Sequence, residues 1–211
     1  SSWRSLATGS DHMLAVNGDG ALFSFGSGSF GQLGRPEVDG EKTPSQVGGD
    51  HDWKIVAAAQ DRSAAIKNDG SMWTWGSGST GIPNSSQLTV PTKVGTATWK
   101  ALALGSYYSL AIQTDGSLWA WGNNNHYSLG DGTNTYRDVP VRIGTDNDWS
   151  SVACAGSTSF GIKSDGSLWV WGGASHTSAF GLGPGISSPI QTPTPTNTGI
   201  DWRSIHPSAT G

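Results

Sequence analysis

The chain has 211 residues with a formal net charge of −4, and only 13% of them are charged, against 31 glycines and 11 tryptophans. Disordered chains are charge-rich and poor in aromatics, so disorder is excluded, and abundant Gly, Ser, Thr and Asn argue against helix. The 12 Lys and Arg form no basic run, which removes the footprint of a nucleic-acid binder, and no stretch nears the roughly 20 apolar residues of a membrane span.

A unit of about fifty residues recurs along the chain, opening each time on tryptophan. The first, 3–52, runs from Trp3 through Leu6-Ala7 and the apolar trio Leu14-Ala15-Val16 to Asp19-Gly20. It continues with Leu22-Phe23-Ser24-Phe25-Gly26 and, after a long loop, Pro44-x-x-Val47-Gly48. The second, 53–98, repeats this order from Trp53, with Ala64-Ala65-Ile66, Asp69-Gly70, Met72-Trp73-Thr74-Trp75-Gly76 and Pro91-x-x-Val94-Gly95. The third, 99–148, has Leu110-Ala111-Ile112, Asp115-Gly116, Leu118-Trp119-Ala120-Trp121-Gly122 and Pro140-x-x-Ile143-Gly144. The fourth, 149–201, has Phe160-Gly161-Ile162, Asp165-Gly166, Leu168-Trp169-Val170-Trp171-Gly172 and a weaker Pro195 to Gly199. Trp202 opens a partial fifth unit, 202–211.

Asp-Gly between two apolar runs is a hairpin signal, read here as a two-residue type I′ turn. Trp119 and Trp121 fall on one strand face and Leu118 and Ala120 on the other, so both faces are apolar and both need cover. Proline suits the edge or start of a strand. The expected fold is all-β: four-stranded blades, each a Trp strand, an aliphatic strand, an aromatic strand and a Pro-Val strand, stacked face to face as a single β-propeller domain over 1–211. Such units gain stability only from neighbours.

These residues resemble the regulator-of-chromosome-condensation repeat. The first unit carries its Gly9, His12, Leu14-Ala15, Asp19-Gly20, Phe25-Gly26 and Gly31-Gln32-Leu33-Gly34. Later units drift: the His position becomes Arg62, Tyr108 and Thr158, and the Gly-Gln-Leu-Gly becomes Tyr127-Ser128-Leu129-Gly130 or Phe180-Gly181-Leu182-Gly183. The resemblance implies a propeller of seven blades, of which four repeats and a start are present. The chain is therefore expected to be part of a larger ring, completed by further blades of the same or another chain. It also implies a non-catalytic binding platform, as in the family's exchange factors, ubiquitin-ligase modules, β-lactamase inhibitor and UV-B photoreceptor. The photoreceptor's Gly-Trp-Arg-His-Thr motif and the exchange factor's inserted wedge have no counterpart in this sequence, so fold does not select among these activities.

Motifs for chemistry read as structure. Gly26-Ser-Gly28-Ser-Phe-Gly31 and Gly76-Ser-Gly78-Ser-Thr-Gly81 have dinucleotide spacing but lead into loop and proline rather than helix. Asp50-His51-Asp52 and Asp146-Asn147-Asp148 lack the Gly and distal Glu of a calcium loop and are expected to be solvated turns. His12, His51, His126, His176 and His206 show no zinc spacing, and no nucleophile elbow occurs. Cys154, the lone cysteine, aligns with Ala58 and Leu104 and is expected to be a small buried residue. No enzyme, cofactor or metal is expected.

With strands running up and down, the first and third connections of every unit open on one face, and the Asp-Gly turns and the links before Trp on the other. The first face is the variable one, with loops at 27–43, 77–90, 123–139 and 173–192. Phe30, Arg62, Tyr107, Tyr108, His126, Tyr127, Tyr136 and His176 are therefore expected to line a binding surface for a protein partner. The alternative is an extracellular, cell-surface or virion-displayed module, of bacterial or phage kind, attaching to host glycan or a surface receptor; low charge and Ser, Thr and Gly content suggest it.

Overall fold

The computed structural model describes residues 2–36, 39–173, 189–196 and 199–205. Sixteen strands make four antiparallel sheets, each ordered as in the sequence, and no helix occurs among the described residues. Blade 1 is β1 (Trp3–Thr8), β2 (His12–Asn17), β3 (Leu22–Ser27) and β4 (Gly40–Gln46). Blade 2 is β5 (Trp53–Ala59), β6 (Arg62–Lys67), β7 (Met72–Ser77) and β8 (Gln87–Lys93). Blade 3 is β9 (Trp99–Leu104), β10 (Tyr108–Gln113), β11 (Leu118–Gly122) and β12 (Arg137–Ile143). Blade 4 is β13 (Trp149–Ala155), β14 (Thr158–Lys163), β15 (Leu168–Gly172) and β16 (Ile190–Pro195). Trp202 repeats for a fifth unit the step that joins the blades. Its N–H donates to the Gly166 carbonyl at 2.9 Å, as Trp53, Trp99 and Trp149 donate to Gly20, Gly70 and Gly116.

The first strands of successive blades lie nearest one another, and the Pro-bearing fourth strands form the outer edge, where a missing N–H costs no ladder bond. The second strands are buried along nearly their whole length. In blades 2 to 4 the opening Trp meets both aromatic-strand Trp rings at a steep angle: Trp99 lies 6.2 Å edge-on from Trp119 and 6.3 Å, tilted, from Trp121. Trp75, Trp121 and Trp171 then press on glycines of the preceding blade. A Cβ on Gly34, Gly81 or Gly130 would stand within 3 Å of those indoles, which is why large aromatics meet small residues across each junction.

The Asp-Gly connection differs from the expected two-residue turn. Lys67 N–H donates to Ser71 C=O (3.0 Å) and Gly70 N–H to Lys67 C=O (3.0 Å), and Gly70 has φ +81° while Asp69 is not among the positive-φ residues. This is a three-residue loop, a turn followed by a left-handed glycine, and only the glycine needs positive φ. The aspartate orients the sheet instead. Asp69 accepts from Ser71 Oγ (2.6 Å), which accepts from Trp73 Nε1 (3.0 Å), and Asp115-Ser117-Trp119 and Asp165-Ser167-Trp169 repeat the relay. Blade 1 has Ala21 and Phe23 at these positions, so the hydroxyl and the indole are lost together.

Two further expectations are corrected. Asp50 and Asp52 grip the buried ammonium of Lys67 (2.6 and 3.0 Å), which also lies over Trp53 and Trp73; Asp146 and Asp148 hold Lys163 the same way. These turns are clamps, not merely solvated links. Cys154 is half-buried, beside the Tyr108 hydroxyl. Its thiol is pushed up to about 12, burial outweighing the opposing influence of Tyr108 and Arg62, so it is not a thiolate nucleophile.

Candidate functional site

Loops one and three of every blade are sewn together at one end. Ser27 N–H donates to Asp11 C=O (2.7 Å), Ser77 to Asp61 (3.0 Å), Asn123 to Tyr107 (2.9 Å) and Gly173 to Ser157 (3.2 Å). Close approach demands glycine where the aromatic strand ends: Gly26 has φ +106°, and a Cβ there would lie 2.3 Å from the Asp11 oxygen. The variable loops therefore stand on a stiff base at one end, and the three-residue turns with the inter-blade links occupy the other.

The seven candidate residues that are described do not form one patch. Phe30 is exposed on the blade 1 loop. Tyr107 and Tyr136, 62% and 51% exposed, stand at the junction of blades 2 and 3. His126 is exposed and packs along Gly173 of blade 4, while Tyr127 beside it is half-buried with φ +59°. His176 lies outside the described residues.

Arg62 and Tyr108 are the corrections: each is 3% exposed and neither belongs to the surface. Both begin second strands and point sideways into the next blade, as His12 does. His12 Nε2 meets Ser63 Oγ at 2.8 Å, and Ser63 gives its own proton to Gln32 C=O, so the imidazole donates from Nε2. Burial holds His12 down at about 4, against the pull of Asp11 and the Gln60 carbonyl, so the ring is neutral at pH 7. Arg62 donates to Gly105 C=O (2.6 Å), Tyr108 C=O (2.9 Å), Ser109 Oγ (3.1 Å) and Ser79 C=O (2.9 Å). Burial lowers it to about 10, and it stays charged in a cage of neutral acceptors. Tyr108 donates its hydroxyl to Thr158 C=O (2.9 Å) and lies 3.0 Å from Ser159 Oγ, which gives its own proton to Ser128 C=O (2.7 Å). Blades 1, 2 and 3 thus each drive one polar knob into a socket of the next.

Over Arg62 the loop face opens into a cleft of about 680 Å³ at the junction of blades 2 and 3. Ser77, Ser79, Asn84, Ser86, Tyr136 and Asp138 line it. Asn84 N–H donates to Asp138 Oδ2 (3.2 Å), and Ser79 Oγ donates to Tyr107 C=O (3.0 Å), so Arg62 beneath Ser79 positions the cleft wall rather than contacting a ligand. The sequence reading missed Ser79, Asn84 and Asp138. The run Ser77-Gly-Ser-Thr-Gly-Ile-Pro-Asn-Ser-Ser86, polar and flanked by a Tyr-bearing loop, was the available signal.

Both ends carry aspartates, and those of the Asp-Gly turns and inter-blade links share the turn end with lysines. Asp11, Asp39, Asp61 and Asp138 on the loop face are in no ion pair among the described residues. The cations there are engaged: Arg35 with Glu41, Arg137 with Asp131, and Arg62 buried; Lys42 alone stays exposed. Burial pushes the Asp131 carboxyl up, but hydrogen bonds from Thr133 and Arg137 hold it below the usual range. Lys54, Lys67, Lys93, Lys100 and Lys163 all lie at the turn end.

Two models of the regulator of chromosome condensation (RCC1) repeat match the chain, one over residues 19–66 and 115–162 and the other over 3–32 and 99–128, together more than half of it. Among solved structures it is similar to human WBSCR16 at 25% identity and a TM-score of 0.78, over 90% of this chain and 50% of that one. It is similar to yeast RCC1 (Prp20), solved bound to Kap60, at 24% identity and a TM-score of 0.78, over 92% and 48%. Prp20p from Saccharomyces cerevisiae, described with its binding properties to Gsp1p and histones, matches at 24% and 0.76, over 92% and 50%. The chain spans about half the length of these propellers. Among curated protein sequences none matches it.

Proposed function

The chain belongs to the regulator of chromosome condensation (RCC1) repeat family, and from that premise we propose that it is a non-catalytic scaffold whose loop face receives a protein partner. One observation carries this: exposed Tyr107 and Tyr136 flank a polar cleft on a rigid base, with Asp138, which is in no ion pair among the described residues, in its wall. Rigid aromatics beside hydrogen-bonding groups supply contact area at low entropic cost. Uncompensated Asp11, Asp39, Asp61 and Asp138 favour a partner segment carrying Lys or Arg. Phe30, His126 and Tyr127 lie on the same face and widen the surface available to it.

The named partners of yeast Prp20 are proteins, which favours this reading for a chain of the same fold. The glycan-attachment and virion readings have no such support. The test identifies a partner with the 211-residue protein as bait, then measures its affinity for variants on both ends. Tyr107→Ala, Tyr136→Ala and Asp138→Asn are expected to weaken binding about tenfold each or more, while Lys54→Ala and Lys100→Ala at the turn end leave it unchanged. Losses confined to the turn end would overturn the assignment of the face.

A further inference from the structure

We propose that the cleft between blades 2 and 3 receives an arginine side chain of the protein partner, its guanidinium stacked on Tyr136 and paired with Asp138. The inference rests on the reading of the loop face as the one that receives a protein, and it names the group that enters.

The cleft opens where one loop departs from its repeats. Trp75, Trp121 and Trp171 press on Gly34, Gly81 and Gly130, which puts the three loops in register. The residue before that glycine is Leu33 or Leu129 in blades 1 and 3, each fully buried, but Thr80 in blade 2. The Thr80 hydroxyl ties its loop to itself, accepting from Ile82 N–H (3.3 Å) and donating to Ser85 C=O (3.5 Å). Ser77, Asn84 and Ser86 form one wall of the cleft. Its volume of about 680 Å³ is that of a ligand site, with room for a long side chain and the backbone on either side of it.

The opposite wall carries the charge. Tyr136 and Asp138 lie two residues apart at the start of β12, so alternation puts both on one face, about 7 Å apart along the strand. Arg137 between them points the other way, to Asp131 at 2.7 Å, and does not neutralise Asp138. Among the described residues Asp138 accepts only the Asn84 N–H, on Oδ2, and is in no ion pair, so Oδ1 is open to a ligand. Buried Arg62 stands beneath Ser79 with its terminal nitrogens on neutral acceptors, whereas Asp138 is exposed, so an entering cation meets the carboxylate first.

A ring beside a carboxylate selects arginine over lysine. A guanidinium lies flat on an aromatic face while its edge forks onto a carboxylate, which leaves its other donors for the Asn84 amide oxygen and the Ser86 hydroxyl. An ammonium supplies the charge but neither the plane nor the fork.

The test titrates the isotope-labelled 211-residue protein with the blocked tripeptide Gly-Arg-Gly and its lysine and citrulline counterparts, following backbone amide shifts. Arginine is expected to give saturable shifts at 77–86 and 136–138, and lysine to bind several-fold more weakly. Citrulline, of the same shape without the charge, should not bind. Asp138→Asn keeps an oxygen for the Asn84 N–H and removes only the charge, and it should abolish the arginine response. Tyr136→Leu should bring arginine down to the lysine level. Equal affinity for lysine, or shifts gathered around Asp11 and Asp61 instead, would mean a general acidic face and overturn the proposal. So would the absence of any response at millimolar peptide. Silence from the tripeptide, with partner binding still lost in Tyr107→Ala, would sink the arginine site and leave the face standing. Partner losses confined to the turn end would remove both.

Discussion

The junctions after blades 1 and 3 and the junction between blades 2 and 3 solve the same packing problem differently. In the first pair the aromatic-strand indole donates to a carbonyl of the preceding blade, Trp75 to Gln32 and Trp171 to Ser128, both at 2.9 Å. A lysine clamped by two aspartates closes the turn end of the same junctions. Between blades 2 and 3 both devices are absent. Trp121 Nε1 has no partner among the described residues, and Gln113 stands where Lys67 and Lys163 stand. Arg62 takes their place, with three hydrogen bonds into blade 3. The two kinds of junction alternate, as the family matches do, recurring two blades apart. Apolar burial is common to every junction and so cannot set order; the polar device can, because an unmatched buried donor or acceptor is costly. The cleft lies at the arginine-locked junction, where Arg62 supports its wall from beneath Ser79.

Breaking that lock gives the largest expected effect. Arg62→Met takes the side-chain donor from the Gly105 and Ser79 carbonyls and leaves Tyr108 C=O with the Gly105 N–H alone, and should cost about 3–5 kcal/mol by urea denaturation. Arg62→Lys should recover little, since one ammonium cannot span the fork. A loss within the range of surface substitutions would show that the junction does not depend on it.

Next is the His12 lock, tested by pH. Its folded value, about 4, lies below the unfolded 6.5, so the unfolded chain binds the proton more readily. Stability from this group is full above pH 6.5 and declines as pH falls to 4, by about 3 kcal/mol in all. His12→Gln should flatten that part of the stability profile, and an unchanged slope would reassign it to other groups.

The lysine clamps should matter less. Lys67→Met and Lys163→Met are each expected to cost about 1–2 kcal/mol, because a cation over two indoles and between two half-exposed carboxylates is partly screened. Burial opposes the charge on each lysine, but the paired aspartates raise its pKa above the ordinary value. The contribution is therefore present at neutral pH and fades in alkali, above about 10.4. Smallest of all, Tyr107→Ala and Tyr136→Ala should shift stability by no more than about 0.5 kcal/mol while still weakening partner binding, which separates face from frame.

Much of this architecture was legible beforehand. Repeated Trp, paired apolar faces and Asp-Gly gave the strands, their order and the two ends, and Gly31-Gln32-Leu33-Gly34 gave the family. The errors share a cause. Arg62 and Tyr108 sit at strand starts next to variable loops, so they read as surface; their side chains run sideways into a neighbour that no local pattern announces. Asp50 and Asp52 read as a solvated turn because Lys67, their partner, lies on the far side of a hairpin. Asp-Gly suggested positive φ at both residues, whereas the loop is one residue longer and places it on glycine alone.

By itself the sequence determined what each blade is, because alternation, turn residues and indole spacing act within fifty residues and depend only on backbone geometry. Only the tertiary structure decided which polar residues work and which are merely present. Knob and socket, clamp and cleft each join groups from different strands or blades, and whether an arginine is a contact or a strut depends on what surrounds it. Desolvation by the next blade is what turned Arg62 from a candidate for binding into the support beneath it.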